Sequence, residues 1–126
     1  MKSILVVDDN KTNLMSAKTA LSDDYKVIAV TQGAQALKYL ESNTCDLILL
    51  DIDMPDMNGF EVMDAIKATH PANDTPVLFI TGNTDPETIG KAIECGGMDV
   101  VLKPFVKALL LSRIAYLLEL VELRKK

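Results

Sequence analysis

The stretch Leu47–Pro55, with the sequence LILLDIDMP, carries the pattern that decides the fold. Four aliphatic residues run without a break into Asp51, and a second carboxylate, Asp53, follows two positions later. A short continuous apolar run is typical of a strand covered on both faces, as in a parallel sheet. Asp51 then stands at the carboxyl end of a buried strand, where open α/β sheets bind ligands. Taken alone, the same aspartate could equally begin a turn or cap the next helix.

The rest of the chain alternates short apolar segments with helical ones. Strands are predicted at Ser3–Val7, Lys26–Val30, Leu47–Leu50, Val77–Ile80 and Val100–Leu102. Helices are predicted at Lys11–Leu21, from Gly33, after the turn Asp56–Gly59, from Pro86 and from Val106. Five strand–helix units in strict alternation predict a parallel sheet with right-handed crossovers and helices on both faces. The predicted fold is therefore α/β, a doubly wound five-stranded sheet.

Length and charge limit the domain count and the classes of partner. The 126 residues suit one compact domain, which we expect to span residues 1–126. Thirteen basic against eighteen acidic side chains give a net charge of −5, which disfavours a nucleic-acid or anionic-membrane surface. No apolar run is long enough for a membrane span, and no signal peptide is visible.

Cysteine and histidine usage narrows the chemistry. Cys45 and Cys95 are isolated, so we expect reduced thiols in a cytoplasmic protein rather than a disulfide scaffold. His70 is the only histidine and precedes Pro71, which indicates a surface loop. Chemistry that needs a histidine base is therefore disfavoured.

Polar side chains stand where four of the predicted strands end: Asp8, Asp9, Asp51, Thr81 and Lys103. Three carboxylates at one sheet edge cannot all stay ionised without a cation, and oxygen ligands in an incomplete cage suit Mg²⁺. A lysine and a hydroxyl could hold the oxygens of a phosphoryl group carried by an aspartate, which is a known nucleophile toward phosphorus. Singly, each residue is better explained as a helix cap, a turn hydroxyl or a solvated charge. Five of them at one edge make those separate explanations less plausible.

Over about residues 3–120 the sequence resembles the receiver domain of two-component response regulators. The motifs that carry the resemblance are Val6-Val7-Asp8-Asp9-Asn10, Leu49–Pro55, Gly59, Thr81-Gly82 and Lys103-Pro104-Phe105. Any one of them is weak, but together at these separations they are highly specific.

The resemblance implies a flavodoxin-like sheet of order 2-1-3-4-5 and a phosphoacceptor at Asp51. The implied Mg²⁺ ligands are Asp8, Asp9, Asp51 and the backbone carbonyl of Asp53. By the same resemblance, Thr81 and Lys103 contact the phosphoryl oxygens. The implied donor is a phosphohistidine on a sensor histidine kinase or phosphotransfer protein, and phosphorylation would switch the conformation to control an output domain or partner.

Two positions depart from the family pattern, and several other residues carry further expectations. Val100 stands where the family usually has an aromatic switch residue, and Met98, preceded by Gly97, replaces a usual alanine. The Lys103–Pro104 bond is predicted to be cis, which would aim the lysine into the crevice. The side chains of Asp53 and Asn83 are expected to border the path of the water that hydrolyses the phosphoryl group.

Two alternatives stay open beside the receiver. Asp51-Ile52-Asp53 resembles the Asp-x-Asp motif of haloacid-dehalogenase phosphatases, although Pro55 and the position on the third strand argue against that enzyme class. A degenerate receiver that serves only as a protein-interaction module is the second alternative. A calcium loop at Asp56–Gly59 fails, because Met54 and Ala65 stand where Asp and Glu are required.

The last predicted helix, about residues 106–126, has more apolar residues than one face needs. Leu110, Ile114, Leu117 and Val121 alternate at steps of four and three, which is the spacing of a coiled-coil seam. Leu111 and Leu118 would then face the sheet. This surplus predicts either a homodimer through the helix or a connector to an output domain beyond Lys126, and a simply well-buried helix is the alternative.

Overall fold

The computed structural model describes residues 1–69, 75–82 and 85–124. The strands are β1 Ser3–Val7, β2 Lys26–Val30, β3 Leu47–Asp51, β4 Val77–Thr81 and β5 Asp99–Leu102. The helices are α1 Lys11–Leu21, α2 Gly33–Ser42, α3 Gly59–Thr69, α4 Pro86–Glu94 and α5 Lys107–Arg124. The expectations for His70 and Asn83 lie outside the described residues.

The five strands form one parallel sheet in the order β2-β1-β3-β4-β5, which confirms the predicted fold. β3 lies at the centre, with Leu50 opposite Val7 of β1 and Phe79 of β4. All five residues of β3 are buried, because helices cover both faces of the sheet. The continuous apolar run that suggested a buried strand therefore occupies the middle of the sheet.

The side chains of β3 alternate between two hydrophobic cores. Ile48 and Leu50 pack on the face covered by α2, α3 and α4, whereas Leu47 and Leu49 pack on the face covered by α1 and α5. Each of these four side chains is at most 1% exposed. Complete burial of one such side chain contributes about 1.5–3 kcal/mol to folding, so β3 holds the two layers together.

The turn that follows β3 returns the chain tightly against the strand end. The side chain of Asn58 accepts a hydrogen bond from the Glu61 amide at 2.9 Å, and Glu61 Oε1 accepts one from the Asn58 amide at 3.1 Å. This reciprocal capping box fixes the start of α3. A Cβ atom at Gly59 would lie 2.7 Å from the backbone oxygen of Asp51, so only glycine fits there. The family motif residue Gly59 therefore anchors the loop that carries the end of β3.

Gly97, which the sequence left without an interpretation, makes room for an aromatic ring. A Cβ atom at this position would lie 2.5 Å from the ring of Phe79. That ring packs against Phe60 at a centroid distance of 5.7 Å, and the ammonium of Lys91 lies 4.8 Å from the Phe60 centroid. Val100, beside Phe79 in the sheet register, is partly buried against the same core. The aromatic pair from α3 and β4 therefore lies beside Val100, the position at which the family usually has an aromatic residue.

The structure contradicts the predicted seam of the last helix. Leu110, Ile114 and Leu117 are at most 2% exposed and pack in the core beneath α1 and α5, and Leu118 is also buried there. They cannot form a seam with another helix, because they already cover the sheet. The large apolar side chains that are exposed in this region are instead Val106, Leu109, Tyr116 and Leu123, and they define what we call the α5 outer stripe. Of the helices in the described part of the chain, none has the length and apolar character needed to cross a bilayer.

Candidate functional site

Strand ends bring the five predicted polar residues together at the carboxyl edge of the sheet. Asp8 and Asp9 follow β1, Asp51 ends β3, Thr81 ends β4 and Lys103 follows β5. Asp51 and Thr81 are completely buried and Asp8 is 3% exposed, although all three are polar. Buried polar groups are costly unless they are paired, so their burial here points to a built site.

Lys103 forms the positive centre of this cluster. Its Nζ lies 3.1 Å from Oδ1 of Asp51 and 3.3 Å from Oδ2 of Asp8. The Lys103 amide also donates to the Thr81 carbonyl at 2.8 Å, and the Lys103–Pro104 peptide bond is cis, as predicted. One lysine therefore bridges the ends of β1 and β3 from the loop that leaves β5.

The pKa values of this pair follow from burial and charge. Burial, reinforced by the neighbouring Asp8 carboxylate, raises the pKa of Asp51 to about 6, although the Asp53 amide and Lys103 act in the opposite direction. Burial acts to lower the pKa of Lys103, but its hydrogen bond to Asp51 and the charges of Asp51 and Asp8 outweigh it and raise that pKa. Lys103 thus stays charged at neutral pH, and the ionised Asp51 carboxylate lies in a site short of positive charge.

The two oxygens of Asp51 have different surroundings. Oδ1 accepts a hydrogen bond from the Asp53 amide at 3.1 Å and also faces Lys103. Oδ2 is buried and has no hydrogen-bond partner, and within the described ranges no other buried side-chain nitrogen or oxygen shares that state. A buried carboxylate oxygen without a donor is expensive, which indicates that a cation or another electrophile belongs beside it.

The acidic residues at this edge have the donor chemistry that Mg²⁺ requires. One carboxylate oxygen from each of Asp8, Asp9 and Asp51 lies within 4.8 Å of the others. Mg²⁺ prefers a small number of carboxylates and keeps several waters, so three oxygens from one side make a suitable partial shell. The ligand role of the Asp53 backbone carbonyl remains a prediction.

The side chain of Asp53 has a contact that sequence reasoning did not predict. Its Oδ2 accepts a hydrogen bond from the Thr81 hydroxyl at 2.7 Å and another from the Gly82 amide at 3.2 Å. The carboxylate therefore joins the loop after β3 to the end of β4. Asp53 lies two residues after Asp51 and therefore at the same edge of the sheet. This spacing is the feature of the sequence that could have predicted the contact.

The fold and the site together define a class of protein, namely a flavodoxin-like α/β domain with an acidic pocket and a buried aspartate–lysine pair at the carboxyl edge of its sheet. Residues 4–115 match the response regulator receiver domain family. The chain therefore belongs to the response regulator receiver domain family.

The chain is similar to segments of longer proteins. The chain is 39% identical over 112 residues to a probable cyclic di-GMP phosphodiesterase of Vibrio cholerae, in a match covering 89% of this chain and 25% of that protein. It is 33% identical over 116 residues to the CAI-1 autoinducer sensor kinase/phosphatase CqsS of the same organism, covering 90% of this chain and 17% of that protein. The BeF₃-activated receiver domain of DrrB from Thermotoga maritima has a TM-score of 0.84 and 34% identity, covering 94% of this chain and 98% of that domain. The chain thus spans a quarter or less of the two curated relatives.

Proposed function

We propose that Asp51 accepts a phosphoryl group from a phosphohistidine on a sensor histidine kinase or phosphotransfer protein, in a Mg²⁺-dependent reaction. The observation that carries this proposal is the buried Asp51 carboxylate, with Oδ1 beside Lys103 and Oδ2 without a hydrogen-bond partner among the described residues. In the transfer, a carboxylate oxygen forms a P–O bond while the P–N bond of the donor breaks. The electron pair of that bond stays on the imidazole nitrogen, which takes a proton from solvent.

Several residues of the chain would stabilise the negative charge on the phosphoryl oxygens. Asp8, Asp9, Asp51 and the Asp53 carbonyl would hold Mg²⁺, which when bound neutralises charge on the phosphoryl oxygens. Lys103 already lies at Asp51 and would pair with a phosphoryl oxygen there without a large movement. Thr81, buried at the end of β4, would donate its hydroxyl hydrogen to another phosphoryl oxygen.

Intact mass spectrometry tests this proposal directly. The protein is incubated with acetyl phosphate and Mg²⁺, and the mass gain of one phosphoryl group is expected. Asp51→Asn and the wild type treated with a chelator should both remain unmodified. Equal labelling of Asp51→Asn and the wild type would refute Asp51 as the acceptor.

Intact mass spectrometry, combined with an assay of phosphate release from a phosphomonoester, separates the two alternative functions from a receiver. A haloacid-dehalogenase phosphatase would release many equivalents of phosphate from a small phosphomonoester, whereas a receiver is modified once by an activated donor. A degenerate receiver would accept no phosphate under any of these conditions. The Asp–Lys pair and the acidic pocket support the phosphorylatable form over both alternatives.

We further propose that phosphorylation controls an output domain joined to α5 or a partner that contacts it. The small share of its relatives that the chain covers supports a linked output domain. The α5 outer stripe supports self-association, with Leu109, Tyr116 and Leu123 in place of the buried residues first predicted. The free thiols of Cys45 and Cys95 support a cytoplasmic location.

A further inference from the structure

The hydroxyl of Thr81 has two competing uses. In the structure it donates to Oδ2 of Asp53 at 2.7 Å, which is a short, charge-assisted hydrogen bond. In the proposed function it donates to a phosphoryl oxygen on Asp51. A hydroxyl has only one hydrogen to donate, so these two hydrogen bonds exclude each other.

The amide of Gly82 strengthens the first arrangement. It donates to the same Asp53 oxygen at 3.2 Å, so one carboxylate oxygen holds two consecutive residues at the end of β4. Thr81 is completely buried, whereas Asp53 is exposed. If the bond breaks, water can solvate the exposed Asp53 carboxylate, and the hydroxyl hydrogen of Thr81 becomes available to a phosphoryl oxygen on Asp51.

We propose that the Asp53 side chain is a latch that holds Thr81 and Gly82 in the unphosphorylated arrangement. It is a positioning residue, because it acts through Thr81. The latch lowers the fraction of molecules in which the hydroxyl faces Asp51, and this fraction directly scales the apparent affinity for a phosphoryl group. Phosphorylation must break the latch, and the released β4 end then carries the change toward α4. This inference rests on the proposed function of Asp51.

The test measures the apparent Kd for beryllofluoride, a phosphoryl mimic, at saturating Mg²⁺ by amide NMR titration of the full chain. Asp53→Ala should bind about tenfold more tightly than the wild type, because a charge-assisted hydrogen bond no longer has to be broken. Asp53→Asn keeps a neutral acceptor and should tighten binding by only about threefold. Asp56→Asn removes the same charge from the same exposed loop and should change the Kd by less than about twofold, because surface charges contribute little.

A double-mutant cycle separates the latch from simple charge repulsion. In a Thr81→Ala background the hydroxyl is absent, so Asp53→Ala should alter the Kd by less than about twofold.

Unchanged affinity of Asp53→Ala, or equal tightening in the Thr81→Ala background, would overturn the latch. A wild type that binds no beryllofluoride at all would overturn the proposed function and the latch with it. Because the first two results require a wild type that binds, failure of the latch alone is distinguishable from failure of the function.

Discussion

The ammonium of Lys103 lies 3.1 Å from Oδ1 of Asp51, inside a site where the aspartate is completely buried. The lysine comes from the loop after β5 and the aspartate from the end of β3, so β4 separates their strands in the sheet. Loss of the lysine would leave the Asp51 and Asp8 carboxylates without their positive partner, whereas after loss of the Asp51 charge the lysine still pairs with Asp8 at 3.3 Å. The pair therefore couples the chemistry of Asp51 to the position of the β5 end.

We expect Lys103→Met to reduce the rate of Asp51 phosphorylation by acetyl phosphate by on the order of a hundredfold. The substitution keeps most of the side-chain volume but removes the charge that would stabilise the transferring phosphoryl group. Rates are measured by intact mass over time. Lys107→Met, which removes an exposed lysine at the start of α5, is the matched control. A rate equal to that of the control would contradict the role of Lys103.

The stability of the Mg²⁺-free protein should depend on pH through Asp51. Burial raises its pKa from 3.8 to about 6, so between these values the folded protein holds a proton that the unfolded chain has released. The contribution of Asp51 to the free energy of unfolding therefore falls as pH rises from 3.8 to about 6. Near pH 7 the carboxylate is ionised in both states, and its full destabilising effect on the folded protein is present. Asp51→Asn should be more stable than the wild type near pH 7, by roughly 2–3 kcal/mol.

Urea unfolding across a pH series measures this difference. It should shrink as pH falls toward 4 and disappear below about pH 3, where the wild-type carboxyl is neutral in both the folded and the unfolded state. Asp23→Asn, an exposed aspartate after α1, should show no such trend. A stability difference between Asp51→Asn and the wild type that does not vary with pH would be inconsistent with a raised pKa at Asp51.

Binding of Mg²⁺ should stabilise the wild type, because it compensates the carboxylates at the sheet edge. The gain is about 2.7 kcal/mol when the free ion is at about 100 times its Kd. Asp9→Asn removes the charge of one proposed ligand, an exposed residue, and should weaken Mg²⁺ binding at least about tenfold. Thermal unfolding at increasing Mg²⁺ measures the effect, with Asp24→Asn as the control. Identical Mg²⁺ dependence in Asp9→Asn and Asp24→Asn would place the ion elsewhere.

Alanine substitution at two glycines of the α4 region, Gly97 and Gly90, should change the free energy of unfolding in opposite directions. In Gly97→Ala the new Cβ would lie 2.5 Å from the Phe79 ring and 2.8 Å from the Ala92 carbonyl oxygen, so destabilisation by about 1–3 kcal/mol is expected. In Gly90→Ala no atom of the described residues outside the local helix backbone lies within 4 Å of the new Cβ, and a helix interior favours alanine by about 0.5–1 kcal/mol. Denaturant unfolding of both variants gives the comparison. Destabilisation by both substitutions would contradict the open space found around Gly90.

Self-association should depend on the α5 outer stripe. Tyr116 is 58% exposed and Leu109 is 45% exposed, so a second copy could bury them without disturbing the core. Sedimentation of the wild type should show association that rises with concentration and is lost in Tyr116→Glu. Met15→Glu, which changes an exposed apolar residue on α1, should leave the association unchanged. A wild type that is monomeric at every concentration would exclude this role for the stripe.

The sequence determined the order of the strands in the chain, the sheet architecture and the residues that gather at its edge. Short apolar runs alternating with helical periodicity can form few folds, because parallel strands need crossover helices. All parallel strands end at the same edge, so knowing where each strand stops was enough to place Asp8, Asp51, Thr81 and Lys103 together.

Only the tertiary structure decided which face of α5 covers the sheet and what the Asp53 side chain contacts. Nearly every turn of α5 offers several apolar residues, so its periodicity fits more than one face, and packing against α1 and the sheet selected Leu110, Ile114 and Leu117. The Asp53–Thr81 hydrogen bond joins the loop after β3 to the end of β4, 28 residues away in the chain, and depends on one side-chain rotamer, which no local pattern records. Local periodicity is fixed by neighbouring residues, whereas side-chain partners are fixed by which elements the folded chain brings within hydrogen-bond distance.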